Sequence, residues 1–188
     1  MNPELWKSLE GQALWLLEHA DQLPPREPLQ GMALQLRVWR YPRSGAHVSW
    51  SVILSVREFR AKRAVVREVV WDRLADWKQR MAPLEALKRR QILAPSIRSR
   101  DAEVNWADLE PFLDRVGGLR SPTPPLLPRV PSKEDAFGLE GYRSMAHVRL
   151  QWSGKGPRGW GDTVAWIGHL RQTLVRSMRE RDREARRG

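Results

Sequence analysis

The 188-residue sequence contains no cysteine, so it can form no disulfide, iron–sulfur cluster, thiolate metal site or thiol nucleophile. It also lacks any apolar run close to the roughly 20 residues that a helix needs to cross a bilayer. The segment from Met1 to Trp6 lacks the basic and apolar regions of a signal peptide. Together these absences predict a cytoplasmic protein without a membrane span.

Recognised signatures of catalytic, metal or phosphate sites are missing as well. His19 and His169 have no Asp, Glu or His three or four residues away, the spacing that brings two metal ligands together on a helix. The glycine-rich segment 154–159 superficially resembles a phosphate loop, but Pro157 removes an amide and no Gly-Lys-Ser/Thr follows. We therefore predict no metal site and no cofactor, and we interpret this segment as a turn.

Apolar residues make up 41% of the chain, which is enough for one continuous core in a domain of this length. Several of the ten tryptophans end short apolar segments, and we interpret them as packing residues: Trp50, Trp71, Trp152 and Trp160. We predict a single domain over residues 1–188. The proline-rich segment 121–131 is predicted to be a surface crossover. The arginine-rich residues 179–188 are predicted to form a basic tail, either a solvated helical extension or a frayed end.

The spacing of apolar residues alternates between the period of a helix and the period of a strand. Helices are predicted at residues 3–22, around 83–90, after the capping residue Asn105, and at 162–178. Strands are predicted at 34–38, 48–56, 64–72, 96–104 and 145–152, the first three as an antiparallel meander. The sequence thus predicts an α+β fold in which a sheet of about four to five antiparallel strands packs against N-terminal, middle and C-terminal helices.

The order of these segments resembles a broad class of uncharacterised bacterial proteins. The residues that carry the resemblance are Val69-Val70-Trp71-Asp72-Arg73, a Pro-Ser-Ile-Arg segment, the helix after Asn105, Phe137-Gly138-Leu139-Glu140-Gly141, and the segment from Trp152 to Trp160. In that class a "GLDG" turn opens a hairpin, and a "W-G-x-x-P-x-x-W" loop leads into the last helix. The resemblance covers roughly residues 34 to 175 and implies a small α+β protein. Glu140 replaces the usual Asp, and Ser153 stands where a second Trp is common.

The chain carries a formal net charge of +11, which suits it to an anionic partner. The excess is spread along the sequence, and no aromatic pattern accompanies it that would stack nucleic-acid bases. The residues predicted to bind a partner are Arg57, Arg60, Lys62, Arg63, Arg89 and Arg90. We expect that partner to be a protein with an acidic surface, with nucleic acid as the alternative.

Two histidines lie in matching segments, Arg43-Ser44-Gly45-Ala46-His47-Val48 and Arg143-Ser144-Met145-Ala146-His147-Val148. Paired strand histidines resemble the site of two-histidine phosphoesterases, in which one imidazole is general base and the other general acid. His47-Val48-Ser49 fits that pattern, whereas His147-Val148-Arg149 does not. An enzyme that uses both histidines stays an alternative, and it requires both imidazoles to face one cleft.

A rigid, tryptophan-rich scaffold without converging catalytic groups favours a non-catalytic binding protein. We expect a bacterial interaction module of the inhibitor, immunity or adaptor type. The enzyme that processes phosphodiesters through His47 and His147 and the basic nucleic-acid-binding protein remain as alternatives.

Overall fold

The computed structural model describes residues 3–24, 32–55, 64–80, 94–116, 118–119, 134–143 and 146–187. Its strands are β1 (Met32–Tyr41), β2 (His47–Ser55), β3 (Ala64–Trp71), β4 (Ile97–Val104), β5 (Ala136–Arg143) and β6 (Ala146–Ser153). Its helices are α1 (Pro3–Glu18), α2 (Arg73–Arg80), α3 (Trp106–Val116) and α4 (Gly161–Ala185), with a 3-10 turn at Ala20–Gln22. The α+β class is confirmed.

The strands form one antiparallel sheet in the order β4-β3-β2-β1-β5-β6. The predicted meander of the first three strands is confirmed, and β4 extends it at β3. The sheet has six strands where about four to five were predicted, because β5 was not recognised as a strand. The helix predicted around 83–90, the residue Val56 and the crossover 121–131 lie outside the described residues.

One face of the sheet, the α3/α4 face, holds the larger apolar core. Alternate residues of the strands pack there against both helices because their side chains point to the same side. The strand residues are Val38, Trp50, Val52, Val66, Leu139, Leu150 and Trp152, and the helix residues include Leu109, Phe112, Ile167, Leu170, Leu174 and Met178. The predicted burial of Trp50 is confirmed, since its side chain is 6% exposed.

The opposite face of the sheet, the α1 face, is buried as well. Leu9, Ala13 and Leu17 of α1 pack with Trp39 and Trp71 of the sheet. His47, Ser49 and Ser51 lie on this face, as their alternation with apolar residues predicted. They are nevertheless buried, because α1 covers them, and the Ser49 hydroxyl donates a 2.8 Å hydrogen bond to the Leu17 carbonyl.

Two arginines, Arg37 and Arg67, are buried between α1 and the sheet. Arg67, fully buried, donates two 2.7 Å hydrogen bonds to its cross-strand neighbour Asp101. It also donates to the carbonyl oxygens of Ala20 and Leu23, which follow α1. The charge of Arg67 is tolerated in this layer because its guanidinium donors meet acceptors, and the guanidinium thereby fixes the chain after α1 to the sheet.

Gly138 and Gly141 lie within strand β5. The turn that the resemblance implies for Phe137–Gly141 is therefore not present. A Cβ atom at Gly138 would collide with the Trp39 ring on the α1 face. A Cβ atom at Gly141 would collide with Val116 of α3 on the other face. These glycines therefore make room for side chains that pack on a strand, whereas the loop expected before the last helix is present between Ser153 and Gly161.

The last helix is longer than its apolar stripe predicted. It continues past Met178 to Ala185, so that most of the predicted basic tail 179–188 is a helical extension and not a frayed end. Its far end is held to the sheet by a 2.6 Å hydrogen bond from Arg100 of β4 to Asp182. Neither this helix nor any other in the described ranges is long and apolar enough to cross a membrane.

Candidate anion-binding groove

A groove of about 640 Å³ lies between helix α4 and the β1–β2 end of the sheet. The sheet side consists of Arg40, Pro42, Ala46, Val48 and Trp50, and the helix side of Arg171, Gln172, Val175, Arg176, Arg179, Glu180 and Arg183. The floor is apolar and the rim is rich in guanidinium groups. Arg171 and Arg183 are twelve residues apart on the helix, which corresponds to about 18 Å.

The arginines of this groove are only partly neutralised by neighbouring acids. Arg40 forms a 2.9 Å ion pair with Asp135, and Arg176 lies 3.9 Å from Asp108. Within the described ranges, Arg171, Arg179 and Arg183 have no acidic partner. One carboxylate, Glu180, lines the groove with five arginines, so the groove is basic overall.

Arg171 occupies the least favourable position for a cation in this groove. Burial lowers the pKa of Arg171, and the positive charge of Arg40 lowers it further. No hydrogen-bond acceptor compensates for this among the residues that the structure describes. A half-buried cation next to another cation costs folding stability, and an anion bound between them would remove that cost.

A smaller pocket of about 140 Å³ adjoins the groove and shares Arg171 with it. Its wall is mostly apolar and includes Val38, Phe137, Trp152, Val164, Ile167 and Gly168. The Arg40 guanidinium lies over the ring of Phe137, a residue of this pocket, at 6.0 Å from the ring centre. Arg40 and Arg171 therefore both lie where the groove meets the pocket. We name this smaller cavity the α4 pocket.

The groove arginines were not among the predicted binding residues. All six of those, Arg57, Arg60, Lys62, Arg63, Arg89 and Arg90, lie outside the described residues. A sequence signal for the groove does exist, because Arg171, Val175 and Arg179 follow one another at intervals of four and share a side of α4. That signal was obscured because the arginines after Met178 were assigned to a solvated tail.

His47 is a core residue of the α1 face, with 1% of its surface exposed. Its ring stacks on Tyr41 at 5.0 Å and meets the edge of Trp71 at 5.2 Å. Burial lowers its pKa to about 4, and Arg73 contributes in the same direction. A neutral imidazole enclosed by two aromatic rings is a packing group, so no substrate reaches it.

His147 lies at a different place on the same face and belongs to a polar cluster. Its Nε2 donates to Glu140 Oε1 at 2.9 Å, and its ring stacks on Tyr142 at 4.6 Å. Glu140 also accepts hydrogen bonds from Tyr142 and from the buried Arg37. Burial alone would raise the pKa of Glu140, but Arg37, His147 and Arg149 together lower it.

The sheet register keeps the two histidines apart. The row of residues that contains His47 passes through Tyr41 and Ala136 to Ser153 on β6. His147 lies six residues before Ser153 on that strand, which corresponds to roughly 20 Å. The imidazoles therefore do not face one cleft, which is the arrangement that the two-histidine alternative requires.

Comparison of the chain with protein-family models, curated proteins and solved structures finds no match. Among the described residues there is also no group of three or more His, Asp or Glu side chains that could hold a metal ion.

Proposed function

We propose that the protein is a non-catalytic binding module that holds an acidic segment of a partner protein in the arginine-lined groove. The observation that carries this proposal is Arg171, a half-buried cation without a counterion in the described structure and next to Arg40. A carboxylate between the two guanidinium groups would accept charge-assisted hydrogen bonds from both.

The shape of the groove fits an extended peptide. A strand-like segment rises about 3.3 Å per residue, so the roughly 18 Å between Arg171 and Arg183 accommodates five to six residues. Val48 and Val175, which are partly exposed in the groove, offer apolar contact area to the peptide, and the guanidinium rim offers ionic partners. Complementary charge of this kind governs the choice of partner and the association rate, which a module of the inhibitor, immunity or adaptor type requires.

Nucleic acid is the less well supported occupant. Proteins that bind single strands stack bases on aromatic side chains, but the aromatic residue lining this groove, Trp50, is 6% exposed and bonded to Glu68. A nucleic-acid duplex presents a convex surface with its phosphates on the outside, whereas this groove is a concave space between a helix and a sheet.

A binding experiment with matched charge reversals tests the proposal. The probe is a fluorescently labelled peptide of six Glu and Asp residues, and its binding is measured by anisotropy at 150 mM salt. The variant Arg179→Glu/Arg183→Glu should weaken binding at least about tenfold, because two attractive charges become repulsive. The control Arg181→Glu/Arg186→Glu makes the same change in net charge, at one residue of the same helix and at the residue that follows its end, and neither residue lines the groove.

The control variant should keep the affinity of the unmodified protein within about threefold, because charges outside the groove act only through the screened field. Equal loss in both variants would show that net charge alone attracts the probe and would contradict the groove. Tighter binding of a labelled DNA duplex or single strand than of the acidic peptide would favour the nucleic-acid alternative.

A further inference from the structure

We propose that the α4 pocket selects the partner by taking one apolar side chain of leucine or phenylalanine size, while a carboxylate beside that side chain binds Arg171. This inference rests on the proposed function and specifies the chemistry of the acidic segment. The occupant is thus a peptide in which a carboxylate directly neighbours an apolar residue.

The size and wall of the pocket point to an apolar group. Its volume is about 140 Å³, and a cavity of roughly 150 Å³ with apolar walls can hold a benzene-sized group. Water in such a space finds few hydrogen-bond partners, so an apolar side chain displaces it favourably. The rings of Phe137 and Trp152 stack at 5.9 Å and give the wall a fixed shape.

The polar groups at the pocket support a peptide occupant. Arg171 lines both the pocket and the groove, so a carboxylate bound to it must lie next to the group in the pocket. A peptide provides both groups, because a carboxylate and an apolar side chain can come from neighbouring positions of one chain.

Gly168 keeps the pocket open from the helix side. It lies inside α4, where glycine is unfavourable, and a Cβ atom there would have no neighbour within 4 Å. Packing against the core therefore does not require glycine at this position. The space left beside the helix is the space that the apolar side chain would fill.

Two chemical sources can provide the adjacent carboxylate, and three peptides distinguish them. The first has an internal Glu-Leu pair and an amidated end, the second ends in Leu with a free carboxylate, and the third contains only Glu and Asp. Either leucine peptide should bind about tenfold to a hundredfold more tightly than the third, as expected for burying one leucine side chain. The tighter of the two identifies whether the carboxylate is a side chain or a chain terminus.

Gly168→Leu fills the pocket, and Gly161→Leu is its matched control, because it makes the same substitution at a residue of α4 that does not line the pocket and whose added Cβ meets no atom within 4 Å. Gly168→Leu should remove the gain from leucine but keep the binding of the purely acidic peptide, whereas Gly161→Leu should keep both. If the gain persists in Gly168→Leu, the pocket assignment is overturned while the groove stands. If no peptide binds the unmodified protein, the proposed function fails as well.

A second variant tests the pocket without filling it. Val164→Ala enlarges the pocket, so the preference should move from leucine towards tryptophan in otherwise identical peptides. This readout is a ratio of two affinities measured on one folded variant, so a general loss of stability does not mimic it. An unchanged leucine-to-tryptophan ratio would contradict the assignment.

Discussion

The indole of Trp39 lies over the backbone of Gly138, its cross-strand neighbour on the α1 face. Trp39 is 2% exposed, and the guanidinium groups of Arg37 and Arg149 lie 4.7 and 5.5 Å from its ring centre. The ring can occupy this position because its neighbour has no side chain. The glycine thus sets the position of an aromatic ring on which two charged groups rest.

Gly138→Ala should therefore destabilise the protein by about 1 to 3 kcal/mol, since the added methyl group forces Trp39 to move. The measurement is the free energy of unfolding in urea. Gly168→Ala is the matched control: it should raise that free energy by up to about 1 kcal/mol, because alanine favours a helix and its Cβ meets no atom. Equal effects of the two substitutions would contradict this role of Gly138.

Much of the fold follows from periodicity in the sequence. The alternation of Val48, Trp50 and Val52 predicted β2, and the meander followed because short connections join neighbouring strands. β5 was missed because Gly138 and Gly141 interrupt its apolar pattern and resemble turn residues. Their reason is tertiary, since each glycine accommodates a side chain from a distant segment.

The sequence predicts the candidate site less well than it predicts the fold. Polar residues that alternate along a strand predict a solvated face, yet Arg37 and Arg67 are buried. Their partners Glu140 and Asp101 lie on neighbouring strands but 103 and 34 residues away in the sequence, so local spacing does not reveal them. Likewise, the groove exists only because α4 lies beside the β1–β2 end of the sheet. Local spacing indicates which residues share a side of a helix, but not what faces that side.

The stability of the protein should depend on pH through His47. Its pKa is lowered by burial to about 4 in the folded state, below its ordinary value near 6.5, so folding favours the neutral ring. The stability from this group is present above about pH 6.5 and is lost as the pH falls towards 4. Between pH 7.5 and 5 the free energy of unfolding should decrease by about 2 kcal/mol from this residue.

His47→Phe provides the comparison, because phenylalanine can keep the ring contacts with Tyr41 and Trp71 but does not titrate. Its free energy of unfolding, from urea titrations at both pH values, should change much less over that interval. The lowered pKa of Glu140 acts in a more acidic range, where carboxylates become protonated. A variant with the same pH dependence as the unmodified protein would exclude His47 as the cause.

The buried pair of Arg67 and Asp101 should show strong coupling. Arg67→Met leaves Asp101 and the carbonyls of Ala20 and Leu23 without their donor, at a cost of about 3 to 5 kcal/mol. Arg67→Met/Asp101→Leu should be less destabilised than Arg67→Met alone, because no unpaired carboxylate remains. Urea denaturation of Arg67→Met, Asp101→Leu and the double variant measures the coupling free energy. If the two single effects add up to the effect of the double variant, the two residues are not coupled.

Arg171 should contribute to binding at the expense of stability. Burial and the neighbouring Arg40 disfavour its charge, so Arg171→Met should raise the free energy of unfolding by up to about 1 kcal/mol. The same variant should weaken binding of the acidic peptide at least about tenfold, because the cation at the junction of the groove and the α4 pocket is lost. Arg181→Met, on the same helix but outside the groove, should change neither quantity appreciably. Thermal unfolding and peptide anisotropy are measured on the unmodified protein and on both variants. If Arg171 were only a structural residue, its removal would lower the stability. If it were only a solvated surface residue, its removal would leave peptide binding unchanged.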